Sequence, residues 1–201
     1  MGPREFQLVL LRRMADFQPG MVEDAVRALG SSRTEMREAN RRWQAMAHAA
    51  RAPRGARRHT AVLGPAASVG DRAVGDLVCR SHRWPVDLWP GLSFEVVTVP
   101  GGAVVQEWLV RDGAVGGTGA GGGGDAAAPR PRTAAELVPW SYVVDDVARA
   151  FAPARPLEGT APSRWRLAFD APEGAPDGPP RRHIADFTWG LLQQVTPSDT
   201  P

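Results

Sequence analysis

Glu107 and His82, in the middle of the chain, are the two candidates for proton transfer. Residues 93–99 and 104–110 are rich in valine and aromatic residues, which predicts two antiparallel strands that turn at Gly101–Gly102. Because side chains alternate across a strand, this turn places Glu107 on a mainly apolar face. The other members of that face are Phe94, Val96, Thr98, Val105 and Leu109. Burial there would raise the pKa of the carboxyl and suit it to general acid–base catalysis.

Both candidates also have a simpler interpretation. Glu107 could lie at the rim of the sheet, where it is solvated or paired with Arg80 or Arg111. His82 ends a strand predicted over residues 76–84, where it could polarise an enol oxygen or serve as a surface or hydrogen-bonded structural residue. No second histidine or cysteine stands at metal-ligand spacing, so we expect no metal site.

Several aromatic side chains could bind a flat ligand by offset stacking. Trp84 and Trp89 stand beside prolines in a segment that we predict to be a loop, and they are candidates for the lip of a pocket. Tryptophan is also a common core residue, and Trp43 and Trp165 are assigned to the core. The predicted ligand-binding set is Trp84, Trp89, Phe94, Val96, Thr98, Leu109, Trp140 and Tyr142.

The elements that must position these groups follow from the apolar spacing. Residues 5–17 and 21–29 have helical periodicity, although residues 6–11 would also suit a strand. Ser32 or Thr34 can cap a third helix that runs to about residue 51. The chain then becomes rich in strands, and residues 133–152 return to a helical pattern. Helices followed by antiparallel strands predict an α+β fold with helices on one face of a curved sheet.

The length of 201 residues suits one or two domains. We predict one α+β domain over residues 1–152, interrupted by a flexible insertion rich in glycine, alanine and proline at residues 113–132. Residues 153–201 are predicted to be a proline-rich extension with one or two short elements.

Composition and charge narrow the class of protein. All 24 basic residues are arginine, and 22 acidic residues interspersed with them leave a net charge of +2, which argues against nucleic-acid binding. No apolar stretch suits a membrane span or a signal peptide, so we expect a cytoplasmic protein that binds no membrane. Cys79 is expected to be a small buried side chain. The glycine run at residues 119–124 lacks the Lys-Ser/Thr of a phosphate loop, so no nucleotide cofactor is expected.

Two stretches resemble the SnoaL-like polyketide cyclases of the nuclear-transport-factor-two superfamily. Residues 10–29, which begin Leu-Leu-Arg-Arg-Met-Ala-Asp-Phe, are similar to that family's opening helix, turn and second helix. Residues 69–82, which begin Val-Gly-Asp-Arg-Ala-Val, are similar to the strand that precedes the family's hairpin. Residues 94–108, which end Val-Val-Gln-Glu-Trp, are similar to that hairpin.

The resemblance implies a cone-shaped barrel, in which a strongly curved antiparallel sheet wraps around the helices and leaves a pocket. It also implies cofactor-free, aldol-type ring closure of a polycyclic aromatic intermediate by a carboxylate acid/base. The family's aspartate aligns with Leu109, so Glu107, one pleat away, takes this role in our hypothesis. The alternative is a non-catalytic pocket protein that binds an aromatic metabolite or scaffolds a biosynthetic complex. An epoxide-opening hydrolase would need an Asp-Arg-Asp constellation that the sequence does not clearly offer.

The resemblance further implies a homodimer through the outer face of the sheet. On the predicted hairpin, this face carries Val97, Val99, Val104 and Trp108. Either a partner subunit or the segment around Phe187 and Trp189 is expected to cover it.

Overall fold

The computed structural model describes residues 1–113 and 130–198, and it divides them into two compact units. The division lies between Trp108 and Leu109, so the predicted boundary at residue 152 falls inside the second unit. Each unit has helices that precede a four-stranded antiparallel sheet, and within the described ranges neither sheet closes into a barrel. The α+β class is confirmed, with two open sheets where the sequence predicts one wrapped sheet. The predicted insertion at 113–132 lies mostly outside the described residues.

Four helices open the first unit, and the first three match the predicted ones. The strand alternative for residues 6–11 is wrong, because helical spacing buries Phe6 and Leu10 together. The third helix begins at Ser32, whose hydroxyl accepts the Glu35 N–H at 3.2 Å while the Glu35 carboxylate accepts the Ser32 N–H at 2.9 Å. The bounds are Pro3–Met14 (α1), Pro19–Ala28 (α2), Arg33–His48 (α3) and Ala56–Leu63 (α4). Among the described residues, no helix is long and apolar enough to cross a bilayer.

The first sheet has its strands in chain order. They are Ser68–Val74 (β1), Leu77–Pro85 (β2), Leu92–Thr98 (β3) and Val104–Arg111 (β4). The Val99 N–H donates to the Ala103 carbonyl at 3.0 Å, so this hydrogen bond encloses three residues, 100–102, instead of the two predicted glycines. Gly101 and Gly102 have φ angles of +101° and +85°, which only glycine adopts readily.

The helices cover one face of this sheet. Phe6 of α1 makes an edge contact with Phe94 of β3 at a centroid distance of 4.9 Å, and α4 also packs against β3. In the β2–β3 register Trp84 lies opposite Phe94, and His82 lies opposite Val96. These side chains therefore share the helix-covered face.

The opposite face carries a buried ionic cluster around Glu95, which is fully inaccessible to solvent. Its carboxylate accepts hydrogen bonds from Ser81 Oγ at 2.6 Å, Arg83 Nε at 2.9 Å and Trp108 Nε1 at 3.3 Å. Arg72 also forms an ion pair with it and lies over the Trp108 ring at 5.7 Å. The cluster joins all four strands, and Cys79 of β2 is buried as predicted.

The second unit contains residues 109–113 and 130–198. Over residues 153–201 the structure has four strands where the sequence predicts one or two short elements. The apolar core lies between the sheet and a short helix, with Phe151 stacked on Phe169 at 4.9 Å. The bounds are Ala134–Glu136 (a 3-10 turn), Val144–Ala150 (α5), Arg155–Ala161 (β5), Arg164–Pro172 (β6), Pro180–Thr188 (β7) and Leu191–Pro197 (β8).

The helix predicted over residues 133–152 is present only in part. Trp140 has a φ of +65°, and its N–H donates to the carbonyl of Leu192 at 2.9 Å. Val143 forms a β-bridge with Leu191. The backbone before α5 therefore pairs with β8, and this pairing excludes a continuous helix.

Candidate functional site

Glu107 and His59 form a pair on the helix-covered face of the first sheet. Glu107 Oε1 lies 3.8 Å from His59 Nε2, and 25% of the Glu107 side chain is exposed. Burial raises the pKa of the Glu107 carboxyl, and the charge of Arg58 opposes this in part. Neither predicted arginine partner serves it, because Arg80 pairs with Asp71 and Arg111 pairs with Asp146.

His59 lies in a cage of aromatic rings. Its side chain is 1% exposed, and neither ring nitrogen makes a hydrogen bond of normal geometry with any described residue. Burial lowers the pKa of the imidazole to about 4, while the Gly55 backbone opposes the shift. The ring is therefore neutral at physiological pH. The caging rings and their centroid distances are Phe6 at 5.8 Å, Trp43 at 5.3 Å, Trp84 at 6.0 Å and Phe94 at 5.5 Å.

A cleft of about 830 Å³ opens on the same unit, between the α3–α4 segment and the ends of β2 and β3. His82 and Thr98 form part of its sheet wall. Three arginines line the other side, namely Arg51, Arg54 and Arg57. The cleft therefore carries three cationic side chains where the sequence predicts a pocket lined by aromatic and aliphatic residues.

Gly55 fixes the α3–α4 segment against the hairpin. It has a φ of +61°, and a Cβ atom there would lie 2.5 Å from the carbonyl oxygen of Gly102. Gly102 itself lines the cleft. Only glycine satisfies both the left-handed backbone and this close approach.

We expect Gly55→Ala to lower the free energy of unfolding by about 1–3 kcal/mol, since it adds backbone strain and a steric overlap. Gly30→Ala is the matched control, because Gly30 has a φ of +58° but open space around its Cβ position. Urea unfolding of the two variants separates the strain from the overlap. Equal losses in the two variants would show that the approach to Gly102 has no energetic weight.

The predicted site residues of the first unit separate into two groups. Thr98 and His82 line the cleft, and burial and the charge of Arg80 lower the pKa of His82. Trp84, Phe94 and Val96 are buried, so they serve as core. Because β3 lies between β2 and β4, His82 and Glu107 are about 9–10 Å apart or more and do not form a pair.

The remaining predicted residues lie away from the cleft. Trp89 is 7% exposed, and both Trp84 and Trp89 are therefore too buried to form a pocket lip. Leu109, Trp140 and Tyr142 belong to the second unit. Leu109 is 1% exposed and donates its N–H to the Trp189 carbonyl, and Trp140 Nε1 donates to Gln193 Oε1 at 3.2 Å.

Sequence reasoning missed His59 and the cleft arginines. A signal was present, because residues 39–70 contain six arginines and no aspartate or glutamate. The other 18 arginines share the rest of the chain with all 22 acidic residues. The overall charge of +2 conceals this local imbalance.

Comparisons with known proteins provide no family for the chain. No family model matches it, and no curated protein matches it. Among solved structures, it is similar to a beta-lactamase inhibitor-like protein from Streptococcus mutans, at 12% identity, over 73% of this chain and 83% of that one. The TM-score of 0.27 is too low to support a functional inference.

Proposed function

We propose that the first unit binds a small organic molecule against the helix-covered face of its sheet and moves a proton with the Glu107 carboxyl. The pairing of Glu107 with His59 carries this proposal. Glu107 Oε1 lies 3.8 Å from the neutral His59 ring, no arginine within the described ranges forms an ion pair with Glu107, and burial raises the pKa of its carboxyl. Structural carboxylates in the same unit are paired differently, as the four donors around Glu95 illustrate.

The chemistry needs no cofactor. The Glu107 carboxylate removes a proton from a carbon next to a ligand carbonyl, which leaves an enolate and a carboxylic acid. The acid then returns the proton to carbon or to oxygen, so the carboxylate is restored. The neutral His59 ring lies beside the carboxyl without adding charge, and we assign it a positioning role.

Aldol-type ring closure begins with the same proton removal. The specific hypothesis is therefore a polyketide cyclase-like reaction on a polycyclic aromatic intermediate. Its support is the resemblance of residues 10–29, 69–82 and 94–108 to the SnoaL-like family. A cytoplasmic location and a homodimer belong to the same hypothesis.

A second candidate function is non-catalytic binding of an aromatic metabolite. Leu109 favours it, because this residue aligns with the family's acid/base aspartate and is a buried apolar side chain. The aromatic rings of Trp84 and Phe94 favour it less, because they surround His59 instead of an open space.

Deuterium exchange tests the proposal. In D₂O, we expect the wild-type protein to speed exchange of the acetyl protons of 2-acetylnaphthalene or of 6-acetyl-2-naphthoate, as followed by NMR. Glu107→Gln should lower this rate by about 10²-fold, which is the lower end of what general acid–base groups contribute. The wild-type rate should rise with pH through the raised pKa of Glu107, because the carboxylate is the active form.

Glu38→Gln is the control, since the half-exposed Glu38 side chain lies on the surface of α3 and forms an ion pair with Arg41. It should exchange at the wild-type rate. Equal rates for wild type and Glu107→Gln would refute the assignment of Glu107. Binding of either ketone without exchange would favour the non-catalytic function.

A further inference from the structure

We infer that the arginine-lined cleft of the first unit binds an organic anion through a carboxylate or phosphate group. This inference rests on the proposed function, because it names the class of molecule on which Glu107 would act. It concerns Arg51, Arg54 and Arg57 on one wall and His82 and Thr98 on the other.

Among the described residues, the three arginines of the cleft have no partner to balance their charge. All three are exposed, and none has an ion-pair or hydrogen-bond partner in residues 1–113 or 130–198. Some other surface arginines of the unit have partners, for example Arg27 with Asp24 and Arg41 with Glu38. Three like charges on one cleft repel each other, and a bound anion would relieve this repulsion.

The hydrogen-bond donors of the arginine side chains suit an anionic group. A guanidinium group presents a planar fork of N–H donors that matches the two oxygens of a carboxylate or phosphate. Helix α4 begins at Ala56 in the same wall, and no side chain caps it. The N–H groups of its first turn therefore add to the attraction for an anion.

The size and the position of the cleft suit a small organic anion. A volume of about 830 Å³ suits a small organic molecule and greatly exceeds a bare inorganic ion. Thr98 shares the helix-covered face with Phe94, to which Glu107 also belongs by its contact with His59. Arg57 lines the cleft, and the adjacent Arg58 acts electrostatically on Glu107. The segment that lines the cleft therefore also carries Arg58 and His59, the two neighbours of Glu107.

Calorimetric titration with three naphthalene probes tests the inference. We expect the wild-type protein to bind 2-naphthoate or 2-naphthyl phosphate and to bind neutral 2-naphthamide at least about 10-fold more weakly. Binding of only one of the two anions identifies carboxylate or phosphate as the preferred group. Affinity for the anion should decrease as salt concentration rises.

The double variant Arg54→Gln/Arg57→Gln should bind the anion at least about 10-fold more weakly than wild type, because charge-assisted hydrogen bonds are lost. Arg27→Gln/Arg41→Gln removes the same charge outside the cleft and should change affinity by less than about 2-fold. Equal effects of the two double variants would overturn the inference. So would equal binding of naphthamide and naphthoate, or no binding of either anion.

Glu107→Gln separates this inference from the proposed function. We expect it to bind the anion at least as tightly as the wild type, because the arginines are unchanged and a neighbouring carboxylate is removed. Anion binding by the wild type without proton exchange on 6-acetyl-2-naphthoate would refute the proposed function and support the anion site. If the wild type and the Arg54→Gln/Arg57→Gln variant exchange protons on 6-acetyl-2-naphthoate at the same rate, the proposed function is supported and the anion site is refuted.

Discussion

Replacement of Glu95 by alanine is expected to lower the free energy of unfolding by about 3–5 kcal/mol, the usual loss when one partner of a buried ion pair is removed. Arg72 and Arg83 would keep their charges while only 15% and 16% of their side chains are exposed. Ser81 and Trp108 would also lose their acceptor. Urea unfolding at neutral pH measures the loss.

The control for this prediction is Glu38→Ala, which removes an exposed carboxylate paired with Arg41 at 3.1 Å. Exposed pairs contribute little, so its loss should stay within about 1 kcal/mol. Glu95→Gln should lie between the two, because the amide keeps one acceptor oxygen but loses the charge. A loss below about 1 kcal/mol for Glu95→Ala would mean that the arginines find other partners.

The neutral His59 ring is expected to make stability depend on pH. An unfolded histidine has a pKa near 6.5, whereas the pKa of His59 in the folded chain is about 4. As pH falls, the histidine of the unfolded chain therefore takes up a proton before His59 of the folded chain does. The contribution of neutral His59 to the free energy of unfolding is fully present above about pH 6.5. This contribution falls as pH drops from about 6.5 to 4, by about 3 kcal/mol in total.

His59→Leu should remove this component, because leucine fills part of the aromatic cage and does not titrate. We expect urea unfolding between pH 7.5 and 4.5 to show a smaller pH dependence in His59→Leu than in wild type. Glu107 acts in the opposite direction, since its raised pKa makes the folded state bind its proton more strongly as pH falls.

His48→Gln is the control, because His48 is exposed at the end of α3. It should keep the wild-type pH dependence. An unchanged pH dependence in His59→Leu would contradict the neutral, buried state of His59.

The sequence predicts elements whose apolar spacing or capping is strong. Helices α1 to α3 have an apolar side, and Ser32 with Glu35 marks the start of α3. Alternation in β3 and β4 correctly places Glu107 with Phe94 and Trp108 with Glu95, although the turn between the strands has three residues. These features depend on the spacing of residues that are close in the chain, and this spacing can be recognised in a single sequence.

Elements without such spacing could not be predicted. Strand β1 is mostly exposed on both faces, so it lacks apolar alternation. Helix α4 is eight residues long and has two arginines directly after its first residue, Ala56, so its apolar side at Val62 does not stand out in the sequence. His59 meets Glu107 only through tertiary packing, and no local pattern marks a contact across 48 positions.

The boundary between the two units lies inside β4, and this limits where a gene could be cut to separate them. Leu109 and Arg111 belong to the second unit, and Arg111 forms a buried, bidentate pair with Asp146. A gene cut after residue 113 would leave this arginine with the wrong half and Asp146 without it. A cut between Trp108 and Leu109 would keep Arg111 with Asp146, but it would divide strand β4 of the first sheet.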